Sequence, residues 1–404
     1  MSYQTQYSRS KEQGSRSSYG RNNSNRNRNF GRRKGNNLDH RRFIKKAKIL
    51  TETEQYVPKH SFSTFGFTPE LTNNLVKRGY VNPTPIQDQA IPSGLAGLDV
   101  LGIASTGTGK TAAFLLPLIE RVLKNPQTET ILIIAPVREL AQQIEAELAI
   151  FTQGLHIGYM TAIGGTPIGP QLQKLRATPH FIIGTPGRIT DLMERRVLPL
   201  KYISAIVLDE VDRMLDMGFI DTVKAILKAL PIERQSLFFS ATISPDIATL
   251  IQSFMNNPIT VRVKAEETAD NIEQDVVRIG YGMQKIDVLH ELLILPEMQK
   301  VLIFGETKMG VERLAKNLHE RGFKTEAIHG NKNQTQRSRA ITNFDRGTAN
   351  IMVATDVAAR GLDIKGITHV INYDMPQTYD DYTHRIGRTG RAGQIGYALT
   401  FVEG

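Results

Sequence analysis

The run Ala104-Ser105-Thr106-Gly107-Thr108-Gly109-Lys110-Thr111 constrains the chain more than any other stretch. It follows a short apolar segment at 100–104 and opens an apolar helical segment at 112–119. Gly107 and Gly109 let backbone N–H groups approach phosphate oxygens without a Cβ in the way, and a helix N-terminus favours the negative charge. Ser105, Thr106 and Thr108 fill out the loop. Lys110 can reach the β- and γ-phosphates of a nucleotide triphosphate, and the Thr111 hydroxyl suits Mg²⁺. A strand that ends in such a loop and turns into a helix is the first unit of an α/β domain.

The same alternation continues along the chain. Short apolar runs at 131–135, 181–184, 205–208 and 237–240 end in polar loops, and a second series follows at 301–305, 325–329, 351–355, 369–372 and 397–401. Between them lie helical stretches such as 139–151, with Leu140, Ile144, Leu148 and Phe151 on one face. Strand–helix alternation predicts parallel sheets with helices on both faces, and ligands beyond the carboxyl ends of the strands. The length of 404 residues exceeds what one compact domain usually needs. A charged stretch poor in large apolar residues predicts a linker at 265–273, dividing a first domain, 61–264, from a second, 274–404.

Val207-Leu208-Asp209-Glu210 is a strand end carrying two carboxylates. With a phosphate loop upstream, Asp209 is the candidate holder of Mg²⁺ and Glu210 the candidate base for an attacking water. Far downstream, His384-Arg385-Ile386-Gly387-Arg388-Thr389-Gly390-Arg391 offers cations that could meet a γ-phosphate. A site shared by two domains can tie hydrolysis to their relative movement.

The formal charge of +10 is unevenly placed. Residues 1–50 hold 14 Lys and Arg against Glu12 and Asp39, leaving 36 basic and 38 acidic residues in the remainder. The segment 1–37 is rich in Ser, Asn, Arg and Gly, with Tyr3, Tyr7, Tyr19 and Phe30 its only aromatic side chains. Such a composition predicts a disordered basic tail suited to loose contact with nucleic acid. The extension 38–60, with Phe43, Ile44, Ile49, Leu50 and Tyr56, is expected to dock on the first domain. The absence of Cys excludes disulfides and thiolate metal sites. With no apolar run of transmembrane length and no signal-peptide pattern, a cytoplasmic location is expected.

The ordered motifs of 61–404 resemble those of the DEAD-box RNA helicases of superfamily 2, most of all the bacterial RhlE-like branch, through the segments 213–219 and 237–240. The resemblance implies two RecA-like domains and activity as an RNA-dependent ATPase that unwinds RNA duplexes locally or remodels RNA–protein complexes, with ATP and Mg²⁺ as cofactors. Gly79-Tyr80-Val81-Asn82-Pro83-Thr84-Pro85-Ile86-Gln87 matches the family's adenine-reading motif, and Phe62, 17 residues before Gly79, matches its stacking aromatic. It implies RNA-backbone contacts at Pro136, Arg138, Gly165, Thr185, Gly187 and Arg188 in the first domain, and at Gln334, Arg337 and Thr355 in the second. Gly361 and Asp363 would face the nucleotide, Arg388 and Arg391 would be arginine fingers, and His384 and Arg385 would lie at the interface. Ser240 and Thr242 would bond Asp212, coupling hydrolysis to strand separation. Two residues depart from the family pattern: Val137 stands where Thr is usual, and Val211 where Ala is usual. The rival readings are a DNA translocase of the same superfamily and an RNA annealer or clamp acting by binding alone.

Overall fold

The computed structural model describes residues 39–47, 56–105, 107–198, 200–263, 271–359, 364–390 and 394–403. The readings made for the tail 1–37, for Thr106, Gly361, Asp363 and Arg391, and for 265–270 of the linker lie outside the described residues.

Runs of Ile, Leu, Val and Phe form strands buried on both faces, as parallel strands covered by helices must be. The first domain's strands are β1 Val100–Ile103, β2 Ile131–Ile134, β3 Tyr159–Ala162, β4 Phe181–Gly184, β5 Ala205–Leu208, β6 Gln235–Ser240 and β7 Ile259–Arg262, of which β1, β2, β4, β5 and β6 are buried on both faces. They pair in parallel in the order β3-β4-β2-β5-β6-β1-β7. In β2, Ile131 and Ile133 enter one apolar layer while Leu132 and Ile134 enter the other. The second domain holds β8 Ile272–Ile279, β9 Val301–Phe304, β10 Thr325–Ile328, β11 Ile351–Ala354, β12 His369–Asn372 and β13 Gly396–Glu403, in the order β10-β11-β9-β12-β13-β8.

Three of these strands, β3, β7 and β8, were not anticipated from the sequence, and each lies at a sheet edge. An edge strand needs only one dry face, so its apolar pattern is weak. In β8, Ile272, Gln274 and Val276 point inward while the residues between them are partly exposed. The strand begins at Ile272, so the last two residues assigned to the linker belong to the second sheet.

The extension also departs from expectation. Its described residues 39–47 pack on the second domain, not the first. Phe43 is fully buried among Ile272, Val276, Tyr382, Ile386, Ala398 and Val402. The Lys45 and Gln274 backbones exchange hydrogen bonds of 3.0 and 2.8 Å. Of the described residues of the extension, 56–60 are the ones that reach the first domain, where they surround the carboxylate of Asp88; Ile49 and Leu50 lie outside the described residues. The apolar content of the segment was legible. Which domain it covers depends on which sheet edge is open.

Strand order explains why distant motifs meet. β1, β6 and β5 are neighbours, so the phosphate loop, Ser240 and the Asp209-Glu210 pair emerge side by side at one end of the sheet. β2, β4 and β3 are the adjoining neighbours, and they deliver Pro136, Thr185 and Gly164-Gly165 at the same end. One sheet thus presents a nucleotide half and a second half beside it.

Candidate nucleotide and RNA site

The phosphate loop opens the helix Lys110–Lys124. Gly109 caps that helix with φ +93, a left-handed conformation that strains any other residue. A Cβ there would lie 2.5 Å from Nε2 of Gln87, so the glycine is also required by contact. Lys110 is buried, its Nζ donating to the Ala104 carbonyl at 3.0 Å, and the Thr108 hydroxyl donates to Ser105 O at 2.8 Å.

Gln87 lies in the first turn of the helix Pro85–Leu95. Its Oε1 accepts from Thr84 N–H at 2.9 Å and its Nε2 donates to Gly109 O at 3.1 Å. The amide thus ties its helix to the phosphate loop, a role the sequence had not suggested. Each end keeps one further hydrogen-bonding position for an adenine edge. Phe62 is nearly buried and meets Phe65 and Tyr80 edge-on, at 5.9 and 5.4 Å between centroids.

Asp209 and Glu210 are both buried at the end of β5. Burial raises the Asp209 carboxyl to about 6, against the pull of Lys110 and with Glu210 adding to the rise. For Glu210, burial also acts upward, but Arg213, Lys110 and Arg388 outweigh it and hold the carboxyl below its ordinary value. Arg388 belongs to the second domain, so part of the charge that lowers the Glu210 carboxyl comes from across the domain boundary. Glu210 sits at φ +54, a left-handed conformation that a non-glycine residue holds only when its surroundings impose it. An ion pair of 2.9 Å from Arg213 Nη1 to Glu210 Oε2 is part of that constraint. The Mg²⁺ reading passes a test of donor chemistry: a buried carboxylate with a raised pKa and the Thr111 hydroxyl are hard oxygen ligands whose desolvation a divalent cation would offset.

Asp212 forms the expected link. Its Oδ2 accepts from the N–H groups of Ala241 and Thr242, each at 3.0 Å, and from the Thr242 hydroxyl at 3.3 Å. Ser240 Oγ accepts from Asp212 N–H at 3.3 Å and donates to Thr242 O at 2.7 Å. Val211 is buried and makes a packing difference only.

A cleft of about 340 Å³ lies beside this centre, lined by both domains. Pro136, Arg138, Thr185, Gly187 and Arg188 come from the first domain, and Gly330, Lys332 and Arg337 from the second. Burial lowers the Arg138 guanidinium pKa, and Arg337 and Arg188 push it further down while Glu139 opposes them. Three guanidinium groups close enough to repel one another form a site for anions. Nη1 of Arg188 is buried without a hydrogen-bond partner. Gly165, at φ +76, lies against Arg138; a Cβ there would come within 2.2 Å of Nη1. Val137 lines the cleft and caps the helix Arg138–Phe151 with no side-chain hydrogen bond, so the hydroxyl usual at this position is missing.

Several assignments come out differently in space. Gln334 and Thr355 do not line the cleft. Gln334 Nε2 donates to Gln142 Oε1 across the domains at 3.1 Å. Arg337 lines the cleft but pairs with Glu139 of the first domain at 2.6 Å. Arg385 is no interface residue. It is buried inside the second domain, bidentate to Asp356 at 2.5 and 2.8 Å and donating to Asp374 O at 2.6 Å. His384 is partly exposed, and its carbonyl accepts from Arg388 Nε at 3.3 Å. Sequence reasoning missed Glu139, Gln142 and Arg213, whose Nη2 donates to Val357 O of the second domain at 3.2 Å. An arginine three residues after the candidate base, on the same helix, was the available signal for the last.

Two parallel-sheet domains, with a phosphate loop and two buried carboxylates at one end of the first sheet and a cleft lined by both domains beside them, have the arrangement of a nucleotide triphosphatase whose site is shared between domains. The chain belongs to the DEAD/DEAH box helicases: residues 84–250 match that family's model, and residues 284–393 match the helicase conserved C-terminal domain. It is 46% identical over 343 residues to the ATP-dependent RNA helicase CshA of Listeria monocytogenes, covering 85% of this chain and 66% of that protein. The Bacillus subtilis DEAD-box ATP-dependent RNA helicase CshA is 44% identical over 345 residues, covering 85% and 69%. Among solved structures, Saccharomyces cerevisiae Dbp5 bound to RNA and ADP BeF3 superposes with a TM-score of 0.76 at 31% identity, over 85% of this chain and 90% of that one.

Proposed function

We propose how this ATP-dependent RNA helicase of the DEAD-box family divides its work among its residues. ATP binds with its phosphates on Gly107–Lys110 and its adenine between Phe62 and Gln87. Thr111 and Asp209 would hold Mg²⁺, which supplies charge neutralisation at the phosphates. Glu210 orients and deprotonates the attacking water. Arg388, with Arg391, stabilises charge on the γ-phosphate once the domains meet, a contribution of about 10³–10⁵ in rate for such cations. RNA lies along the cleft, held through its sugar–phosphate backbone by Arg138, Arg188 and Arg337, with Pro136, Thr185 and Gly187 shaping its path and Gly165 backing Arg138; Gln334 and Thr355, which do not line the cleft, would meet RNA only beyond it. Such contacts carry little sequence information, so binding is sequence-tolerant. Asp212, Ser240, Thr242 and His384 pass the state of the nucleotide to the domain contact.

One observation carries this reading: Glu210, at the end of β5, is bridged to the second domain through Arg213, whose Nη1 donates to Glu210 Oε2 at 2.9 Å and whose Nη2 donates to Val357 O at 3.2 Å. The fit to RNA-bound Dbp5, which spans both domains over 85% of this chain, supports taking the present arrangement as the closed one. Placement in the RhlE-like branch and a cytoplasmic location are proposals resting on the sequence; no described helix is long and apolar enough to cross a membrane.

The test is RNA-stimulated ATP hydrolysis by Lys110→Ala and Glu210→Gln. Both should lose it, and Glu210→Gln should retain ATP and RNA because only water activation is removed. Normal turnover by Glu210→Gln would refute the assignment of the base. Equal stimulation by DNA would favour the translocase reading, and strand annealing by Lys110→Ala at the normal rate would favour the clamp.

A further inference from the structure

The extension joins two places that matter to the nucleotide. Its first anchor sits behind the helix Tyr379–Ile386, which leads directly to Arg388. The Phe43 ring lies 4.4 Å from that of Tyr382 and 5.8 Å from that of Tyr379, centroid to centroid. Asp39 N–H donates to Tyr379 Oη at 2.8 Å, and the Arg42 guanidinium lies 4.8 Å from the Tyr379 ring centroid. Tyr382 Oη donates to Gln274 Oε1 at 2.9 Å, and Gln274 is the residue whose backbone Lys45 pairs with. The second anchor, residues 56–60, surrounds Asp88, the residue after Gln87 on the adenine-reading helix. Asp88 is 1% exposed and accepts from the Tyr56 hydroxyl, from Lys59 N–H at 2.9 Å and from His60 N–H at 3.0 Å, with His60 Nδ1 at 2.8 Å. Nine Cα steps separate Ala47 from Tyr56, a reach of at most about 32 Å.

We infer that the two anchors make residues 39–47 an intramolecular strap on the second domain, with Phe43 the positioning residue that seats the helix carrying Arg388. The strap ties this helix to the adenine-reading helix of the first domain by a second covalent path, separate from the interdomain linker. Phe43 touches neither nucleotide nor RNA, and it acts through Tyr382 and Ile386. The inference rests on reading Arg388 as the arginine finger.

Full-length Phe43→Ala vacates a fully buried aromatic site and should weaken docking of the strap about 10- to 100-fold. RNA-stimulated kcat should fall several-fold while KM for ATP stays within about twofold, since Arg388 acts on the transition state. A synthetic peptide of residues 38–47 should restore kcat in trans, and the same peptide carrying Phe43→Ala should not. Lys45→Pro removes the N–H donated to Gln274 without touching the core, and it should give the same kcat loss should Phe43→Ala fail to fold. In an Arg388→Ala background, Phe43→Ala should cost nothing further. An unchanged kcat in both strap variants, or a loss the peptide does not restore, overturns the strap. Should Arg388→Ala itself hydrolyse ATP normally, the finger reading fails instead.

Discussion

Arg337 is assigned to RNA by family resemblance, yet it spends its guanidinium on Glu139 across the domain boundary. The two roles separate by a double-mutant cycle. The pair is 2.6 Å apart, with side chains 12% and 5% exposed. Removing one partner of a pair this buried costs about 3–5 kcal/mol, because the other charge is left desolvated and alone. Solvent in the adjoining cleft argues for the lower end. About 3 kcal/mol would shift the closed-to-open ratio roughly 100-fold toward open. The chain contains no Cys, so Val76→Cys and Met309→Cys, both at exposed positions on different domains, give two unique sites for fluorescence energy transfer. With a non-hydrolysable ATP analogue and no RNA, Arg337→Ala and Glu139→Ala should each lower the closed population, and the double variant should be little worse than either. With RNA added, Glu139→Ala should recover more than Arg337→Ala, since a phosphate can replace the lost carboxylate beside Arg138 and Arg188. If Arg337 served RNA alone, Glu139→Ala would leave RNA-free closure unchanged and the two effects would add; that result refutes the cross-domain latch.

The other expectations follow from single groups. The raised Asp209 pKa, about 6 against an ordinary 3.8, means the nucleotide-free protein binds that proton more tightly than the unfolded chain. The resulting stability is full below about pH 4 and is lost as pH rises through about 6, so the advantage of Asp209→Asn over wild type in urea unfolding should grow by about 1–3 kcal/mol from pH 4 to pH 8. A pH-independent difference would contradict it. Gln87→Ala should weaken ATP binding and relax discrimination against GTP, and Phe62→Ala should do the same, read by nucleotide competition. Because Gln87 also ties Thr84 to Gly109, its loss should additionally lower the melting temperature by an amount that bound ADP restores only in part. Deleting residues 1–37 should leave ATP hydrolysis at saturating RNA intact and flatten the salt dependence of binding by about 0.7 in log–log slope for each phosphate no longer neutralised; an unchanged slope would make the tail a solubiliser only.

What the sequence revealed was what depends on short spacing. The phosphate loop, the Asp209-Glu210 strand end and the buried central strands are local patterns, and each occupies the element expected of it. Three of the four edge strands, β3, β7 and β8, escaped because much of each meets solvent, while β10, at the other edge of the second sheet, was legible as the run 325–329. Partner identity escaped because it is set by folding at long range. Glu139 reads in the sequence as an ordinary first-turn acid of a helix, and only the approach of Arg337 from nearly two hundred residues away gives it another use. Arg385 and Arg388 stand three residues apart in one motif, yet the first closes a bidentate pair with Asp356 inside its own domain, while the charge of the second helps lower the Glu210 carboxyl of the other domain. Helix Tyr379–Ile386 ends between them, and that break directs them to different places.

The short helix Val211–Asp216 shows how the two halves of the site communicate. It begins at the left-handed Glu210, so any turn of that residue rotates the helix. From it, Asp212 holds the Ala241-Thr242 backbone, while Arg213 bridges Glu210 to the Val357 carbonyl. Val357 lines the RNA cleft, as do Met217 and Phe219 just beyond the helix. With Glu210 as the proposed base, a proton taken up by its carboxylate would weaken the Arg213 ion pair and with it the hold of Arg213 on the second domain. Weakening that ion pair lowers what offsets the desolvation of the buried guanidinium, a cost that separation of the domains would relieve by admitting water. Reopening after hydrolysis then follows from the same desolvation that made the closed site effective.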